Sequence, residues 1–173
     1  MMKNEKYKLE ITAALISLLA GAIALIMPFF GVNNCKIVLI IIFSLLSVAS
    51  LLLYVFKPKD KDLESAYTFV ASFMLLILAI VLKQTPINLA LMLLLYVMFL
   101  SLIRLKKADF YHDRRNAMWQ INIITLGILI LVGLVTSINL YYQSEVQILM
   151  FGYFFLVNGI LELIDPLVLF LKG

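Results

Sequence analysis

The side chains best placed to do chemistry are a few charged and polar residues near the carboxyl end of the chain. Glu162 and Asp165 lie three positions apart, so they share one face of a helix, and Asn158 lies one turn before Glu162. Arg104 closes an earlier apolar run, and both Arg104 and Glu162 lie about 24 Å from the start of their runs. The spacing predicts a polar cluster in which Arg104 pairs with Glu162. Low pH would weaken the pair by protonating Glu162 or Asp165.

A second interpretation of these residues needs no pair. Charged side chains near the ends of membrane helices extend to interfacial water, so Arg104 and Glu162 would each be solvated separately. Asn158, like Gln120 and Asn122, would then contribute an interhelical hydrogen bond worth about 0.6 kcal/mol. Both interpretations stay open at the level of the sequence.

The rest of the chain lacks the residue clusters that catalysis or metal binding requires. Cys35 is the only cysteine, which excludes an intrachain disulfide and a cysteine-rich metal site. His112 is the only histidine, whereas a metal site needs two or more good ligands at helical or turn spacing. No nucleophile has a nearby base. We therefore predict no catalytic residues, no cofactor and no metal, and a protein that is not an enzyme.

The elements that must position these side chains are almost entirely apolar. Of the 173 residues, 64% are hydrophobic and 14% are charged, against about 45–50% and about 25% in soluble domains. A soluble fold of this length needs a polar exterior, so the excess apolar surface predicts that a lipid bilayer solvates the chain. The net charge of +4 comes from short basic clusters between apolar runs, which argues against nucleic acid as a partner.

Six apolar runs are long enough to cross the bilayer as helices. Each covers about 17–21 residues, which spans a hydrocarbon layer of about 30 Å. Helices are required because lipid offers no hydrogen-bond partner to open backbone groups, and the runs lack the alternation of barrel strands. The predicted spans of this all-α, single transmembrane domain are Leu9–Met27, Ile37–Phe56, Ala66–Leu82, Ile87–Ile103, Met118–Ile138 and Val146–Ile164.

The distribution of basic residues predicts the orientation of these spans. Of the 14 Lys and Arg residues, only Lys36 and Lys83 fall on one side, and basic residues favour the cytoplasmic side of a membrane. Both termini and the connections at 57–65 and 104–117 are therefore predicted to be cytoplasmic. The chain would be a multipass protein of the inner (plasma) membrane.

Short outer turns join the predicted helices in pairs. This pattern predicts three helical hairpins at about 9–56, 66–103 and 118–164, with turns that recur at intervals of roughly 50–60 residues. Any six-span protein with short loops shows a similar spacing. True repeats and chance periodicity are therefore equally open.

Small residues at helical spacing predict close contacts between helices. Ala13, Ser17 and Gly21 form a stripe on the first helix, and Gly152 and Gly159 lie seven positions apart on the sixth. Packing within one chain is the simpler interpretation. A seam between two copies in a homo-oligomer is the alternative.

Three longer segments carry the most specific pattern in the chain. They are LLAGAIALIMP at the end of the first helix, SLIRLKKADFYHDRRNAMWQINIITLGILILVGLV across the fourth and fifth, and YFFLVNGILELI in the sixth. Together they resemble the HdeD family of small bacterial acid-resistance membrane proteins, over nearly the whole chain. The resemblance implies repeated short membrane hairpins and an inner-membrane protein associated with acid or envelope stress, in a family without an established molecular activity.

Two classes of function follow from these patterns. A small stress-associated membrane protein, acting by packing, by binding a membrane protein partner or by an effect on the bilayer, agrees with the resemblance. A transporter or channel for a small molecule or ion is the alternative, because repeats are common in transporters. A cavity that reaches mid-bilayer would favour the transporter, and a dry bundle would favour the first class.

Overall fold

The computed structural model describes residues 2–31, 34–56, 63–142 and 146–172, with side chains over 11–31, 34–56, 65–142 and 146–168. All secondary structure within these ranges is helical. The prediction of an all-α protein is confirmed. The six α-helices are α1 (Met2–Ile26), α2 (Cys35–Phe56), α3 (Leu63–Val81), α4 (Pro86–Asp113), α5 (Met118–Tyr142) and α6 (Gln147–Lys172).

Most of these helices are suited to crossing a membrane. The shorter one is α3, whose apolar part with described side chains is Ser65–Val81. The set supports a multipass membrane protein, and a sixth crossing through α3 stays a prediction. The five segments that are long and apolar enough to span are Ile11–Phe30, Cys35–Phe56, Pro86–Asp113, Met118–Tyr142 and Gln147–Val168.

The outside of the bundle is apolar, as contact with lipid requires. Large aliphatic side chains that are more than half exposed occur on helices all around the bundle. Exposed apolar surface of this extent is unusual on a soluble monomer, so the surface agrees with the composition. Examples are Leu19, Val55, Ile124, Leu131 and Ile160.

The helices form a ring in chain order. Each helix packs against the helices before and after it, and α1 packs against α6, which closes the ring. The most extensive contacts are between α1 and α6, between α4 and α5, and between α2 and α3. Each of these three pairs joins helices from two different predicted hairpins. The two helices within a predicted hairpin, which a short outer turn connects, pack against each other less extensively. The division into three hairpin repeats stays a prediction.

Glycines bring α1 and α6 close together. A methyl group added at Gly21 would lie 2.6 Å from the backbone nitrogen of Leu156. A methyl group at Gly159 would lie 2.8 Å from the backbone nitrogen of Leu18, and Gly152 faces α1 in the same way. Side-chain carbons do not approach backbone atoms this closely, so only glycine allows this separation between the helices. The prediction that these small residues mediate packing within one chain is confirmed.

The turn between α3 and α4 is set by a threonine cap and a proline. The backbone N–H of Asn88 donates a hydrogen bond to Thr85 Oγ1 at 3.3 Å, and Pro86 is the first residue of α4. Thr85 has an extended backbone, the conformation that a following proline imposes. Proline also lacks an N–H donor, so α3 cannot continue into α4. The two runs predicted here are separate helices.

The predicted connection at 104–117 is largely helical. α4 continues to Asp113, and only a tight turn separates it from α5. No glycine or proline interrupts this part of α4, and Arg104, Ala108 and Tyr111 stay buried on one face. The helix therefore extends beyond the apolar run from which the span was predicted, because buried contacts continue past the last purely apolar turn.

At two other places the helix ends also differ from the ends predicted from the apolar runs. After α1, a short 3-10 helix begins at Met27 and ends before Gly31, whose φ of 78° is in the left-handed region that favours glycine. α3 begins at Leu63, inside the connection predicted at 57–65. Residues 57–62 lie outside the described residues.

Aromatic side chains fill the centre of the ring. Phe43 of α2, Tyr96 of α4, and Phe154 and Phe155 of α6 are buried, with ring centroids 5.6–6.1 Å apart in the contacting pairs. We call these four residues the aromatic layer. Tyr96 lies about 15 Å along α4 from its first residue, which is half of a hydrocarbon layer of about 30 Å. The layer therefore lies about halfway along the length that a membrane-spanning helix needs.

Candidate functional site

A cavity of about 90 Å³ lies inside the ring, at the end of the bundle where α1 and α3 begin and α2, α4 and α6 end. We call it the end cavity. It extends from Lys107 to Tyr96, about 16 Å along α4, and so reaches the aromatic layer. Among the described side chains, those from α4 and α6 include charged groups, while those from α1, α2 and α3 are apolar or carry hydroxyl groups. The lining residues are Ala13, Ile16, Ser17, Leu46, Ala49, Ser50, Leu53, Ser65, Thr68, Tyr96, Leu100, Ile103, Arg104, Lys107, Glu162 and Asp165.

Asn158 connects three helices beside the end cavity. Its amide nitrogen donates hydrogen bonds to Ser17 Oγ of α1 at 3.2 Å and to Glu162 Oε1, one turn along α6, at 2.8 Å. Its amide oxygen accepts a hydrogen bond from Arg104 Nη2 of α4 at 3.4 Å. Both ends of the Asn158 amide are therefore satisfied, and α1, α4 and α6 share one polar connection.

Lys107 and Asp165 form an ion pair nearer the end of the bundle. Lys107 Nζ lies 3.2 Å from Asp165 Oδ2, and the Asp165 side chain is only 5% exposed. The second carboxylate oxygen, Asp165 Oδ1, is buried and has no hydrogen-bond partner among the described residues. An unsatisfied buried acceptor costs about 1–3 kcal/mol, so this atom would gain from a hydrogen-bond donor in the cavity.

Charges of both signs meet in this cluster. Among the described residues that line the end cavity, Arg104 and Lys107 are cations, and Glu162 and Asp165 are carboxylates. Arg104 and Asp165 are 7% and 4% exposed, and they are therefore largely withdrawn from water. Desolvating a charge costs several kcal/mol, so each of these side chains depends on the opposite charges beside it.

The four site residues predicted from the sequence, Arg104, Asn158, Glu162 and Asp165, lie together in this cluster. Arg104 and Glu162 are connected through the amide of Asn158, which bonds to both. Asp165 pairs with Lys107, a residue that we expected only in a basic loop. The sequence did not predict this partner because the fourth span was expected to end before it. In a helix that continues, the three-residue spacing places Lys107 on the same face as Arg104.

Ser17 also has a role that its size alone did not predict. Its small side chain predicted only close packing between helices. Its hydroxyl accepts a hydrogen bond from Asn158 and donates one to the backbone oxygen of Phe155 at 3.4 Å. The stripe of small residues on α1 therefore supplies a polar contact to α6 as well as space.

Similarity to other proteins does not identify this cluster. Comparison with protein-family models, curated proteins and solved structures finds no match. The HdeD resemblance stays a prediction that rests on the segments quoted above. The chemistry of the site must therefore be argued from its own side chains.

The remaining reactive residue types lie away from the end cavity. The ring of His112 packs edge-on against Trp119, with centroids 5.4 Å apart. Cys35 is buried at the start of α2, near the opposite end of the bundle. Over the described part of the chain, no three His, Cys, Asp or Glu side chains lie where they could hold a metal ion. The charged cluster is thus the strongest candidate for a functional site.

Proposed function

We propose that the chain is a six-span protein of the inner membrane, built from three helical hairpins, that contributes to survival under acid or envelope stress without catalysing a reaction. The apolar exterior and the five membrane-length helices support the spans, with α3 as the sixth. The basic residues support the orientation, with both termini and the end cavity on the cytoplasmic side. The HdeD-like segments support the stress role.

The proposal depends most on one observation, a charged cluster buried at one end of an otherwise apolar bundle. Protonation would neutralise Glu162 and Asp165, while Arg104 and Lys107 would keep their charges. Arg104, which is buried, and Lys107, which is partly exposed, would then lose two neighbouring negative charges, which destabilises the end of the bundle. Tyr96 of α4 faces the same cavity, and the described side chains of α1, α2 and α3 that line it are apolar or carry hydroxyl groups. Acid would therefore loosen the cytoplasmic end.

Survival in acid tests this role. A host strain without the gene should survive acid challenge less well than one that carries the wild-type chain. Complementation with Glu162→Gln or Asp165→Asn should not restore survival, because each variant removes one negative charge from the cluster at every pH. Viable counts after challenge, at matched amounts of protein in the membrane, give the measurement.

Asp109→Asn is the matched control for this experiment. Asp109 is an exposed carboxylate on the same part of α4, and its neutral variant should restore survival as fully as the wild type does. Equal rescue by all three variants would show that the charged cluster has no part in acid survival. Equal survival with and without the gene would remove the stress role.

The orientation is tested by labelling single cysteines. In a Cys35→Ser background, Lys83→Cys should react with a membrane-impermeant maleimide added to intact cells. Arg115→Cys should react only after the cells are permeabilised. Both positions are exposed, so access depends on the side of the membrane and not on burial in the protein. Labelling of both positions under the same condition would contradict the proposed orientation.

A transporter or channel for a small molecule or ion is the second candidate, and the depth of the end cavity favours it. The cavity has a charged wall and reaches the aromatic layer near mid-bilayer. Passage across the membrane would also require the aromatic layer to open. Solute uptake by proteoliposomes above that of empty vesicles, lost when Ala49→Leu fills the cavity, would favour this candidate over the first.

A further inference from the structure

We infer that a shallow groove at the turn between α4 and α5 binds the headgroup of a phospholipid that carries a phosphate and a primary ammonium group, such as phosphatidylethanolamine. We call it the headgroup groove. The inference goes beyond the proposed function, because it depends neither on the acid role nor on the end cavity. It requires only that α4 and α5 cross a membrane. The residues that line the groove are His112, Asp113, Arg115, Ala117, Trp119 and Gln120.

The first observation is the backbone of Arg115. Its φ is 51°, and within the described part of the chain it is the one residue other than glycine with a positive φ. Its N–H donates to the backbone oxygen of His112 at 2.9 Å, and the N–H of Asn116 donates to that of Tyr111 at 3.0 Å. Helices that end in this way usually carry glycine here, because the left-handed region is unfavourable for a residue with a side chain. An arginine at this position indicates that its side chain is used.

The second observation is that no contact within the protein uses this side chain. Arg115 is exposed, and its guanidinium group forms no hydrogen bond or ion pair within the described part of the chain. Orientation in the membrane does not require a cation at this position either, since Lys106, Lys107 and Arg114 lie close to it in the sequence. An anionic group outside the protein therefore accounts for the arginine.

The third observation is a carboxylate in the same groove. Asp113 and Arg115 both line it and are both exposed, and neither side chain is in an ion pair within the described residues. A ligand can therefore reach a guanidinium group and a carboxylate together. Phosphate oxygens accept bidentate hydrogen bonds from arginine, and a primary ammonium group donates to a carboxylate. The carboxylate also disfavours a headgroup that is only anionic.

The fourth observation is the depth of the groove. α4 has 28 residues and is therefore about 42 Å long, which matches the hydrocarbon layer together with its two headgroup regions, about 40–45 Å. The last turn of α4 thus lies at the level of the headgroups. Trp119, in the first turn of α5, packs edge-on against His112 and joins the two helices at the groove. Tryptophan is enriched at this level of a membrane.

The fifth observation is the surface that continues from the groove along α5. Gln120, Ile124, Gly127 and Leu131 lie on one face of the helix at helical spacing, and all four are exposed. Nothing lies within 4 Å of a methyl group added at Gly127, so this face has an open space between two large aliphatic side chains. An acyl chain can lie there while its headgroup occupies the groove. This continuity favours a lipid over a soluble phosphate compound.

Quenching of Trp119 fluorescence tests the inference, because Trp119 is the only tryptophan and lines the groove. The full-length chain, purified in detergent, is titrated with phospholipids whose brominated acyl chains quench tryptophan on contact. Phosphatidylethanolamine should reach half-maximal quenching at a mole fraction at least about threefold lower than phosphatidylcholine or phosphatidylglycerol. Phosphatidylcholine has no N–H donor on its ammonium group, and phosphatidylglycerol has no ammonium group. All three lipids carry the same chains, so general contact with lipid is common to them.

Arg115→Gly removes the arginine side chain without straining the turn, since glycine favours a φ of 51°. It should raise the half-quenching mole fraction of phosphatidylethanolamine at least about threefold while the protein stays monodisperse. Arg114→Gln is the matched control, because it removes the same charge from the adjacent residue. The Arg114 guanidinium lies 4.0 Å from the centroid of the Phe110 ring and does not line the groove, so this variant should bind like the wild type.

A second pair of variants tests the contact with the ammonium group. Asp113→Asn should remove the preference for phosphatidylethanolamine over phosphatidylcholine, since the amide lacks the negative charge that the ammonium group meets. Asp109→Asn is its matched control. Asp109 is exposed one turn earlier on α4 and lies outside the groove, so its variant should keep the preference.

Several outcomes would overturn the inference. Equal quenching of the wild-type chain by phosphatidylethanolamine and phosphatidylcholine is one, and equal effects of Arg115→Gly and Arg114→Gln are another. Stronger quenching by phosphatidylglycerol would indicate general attraction of anionic lipid instead. Displacement of the lipid by soluble glycerophosphoethanolamine at equal concentration would show that the groove binds a solute. None of these results bears on acid survival, and a chain that gives no protection in acid would still retain the inference if it binds the lipid as expected.

Discussion

Replacing Gly21 with alanine is expected to lower the free energy of unfolding by about 2–3 kcal/mol, whereas the same replacement at Gly127 leaves it unchanged or raises it by up to about 1 kcal/mol. The methyl group added at Gly21 would lie 2.6 Å from the backbone nitrogen of Leu156. A backbone atom cannot move aside unless α1 and α6 separate. Gly127 is exposed on α5, and nothing lies within 4 Å of its added methyl group, so the higher helix propensity of alanine decides the sign.

Titration of the purified protein with a denaturing detergent measures this difference. The fluorescence of Trp119, the only tryptophan, and the helical circular dichroism signal both report unfolding. The two variants introduce the same methyl group into a helix, so any general effect of alanine is common to both. Equal midpoints for Gly21→Ala and Gly127→Ala would contradict the close packing of α1 against α6.

Asn158→Leu is expected to lower the free energy of unfolding by about 3 kcal/mol or more. Leucine has a similar size but cannot replace the hydrogen bonds to Arg104, Glu162 and Ser17. Hydrogen bonds to charged groups contribute about 1.5–3 kcal/mol each, and here two charged side chains lose a partner in a buried site. The polar connection among α1, α4 and α6 would be lost at the same time.

Asn122→Leu provides the matched comparison for this prediction. Asn122 is 0% exposed on α5, but its amide nitrogen bonds only to the backbone oxygen of Met118 in the same helix, and its amide oxygen has no partner among the described residues. Replacing such a group with an apolar side chain strands no other polar atom, so the change should stay within about 1 kcal/mol. A loss at Asn122 as large as that at Asn158 would show that Asn158 does not act as a bridge.

The helices were predictable because the signals that define them are local. The break before α4 follows from Thr85 and Pro86, which act on their own backbone and on the adjacent residues. The end of α4 was predicted too early for the opposite reason. Its last turns are kept helical by the burial of Ala108 and Tyr111, and burial depends on helices elsewhere in the chain.

The candidate site was predictable in its members but not in its connections. Glu162 lies inside an apolar run, and Arg104 and Asp165 directly follow one. Charges in or beside a membrane are costly, and this marked them in the sequence. The partner of each depends on the exact depth and rotation of helices that are far apart in the chain. Lys107 therefore emerged as the partner of Asp165 only when α4 and α6 were seen side by side.

The sequence by itself determined that the chain is a series of apolar helices, which side chains among them are polar, and that lipid is the natural solvent for the outside. Only the tertiary structure decided that α1 closes the ring on α6, that Asn158 bridges three helices, and that a cavity remains below the aromatic layer. The physical reason is that helix formation and hydropathy add up over neighbouring residues. The hydrogen bond between Asn158 and Ser17 joins positions 141 residues apart, and it forms only because glycines allow the two helices that carry them to approach.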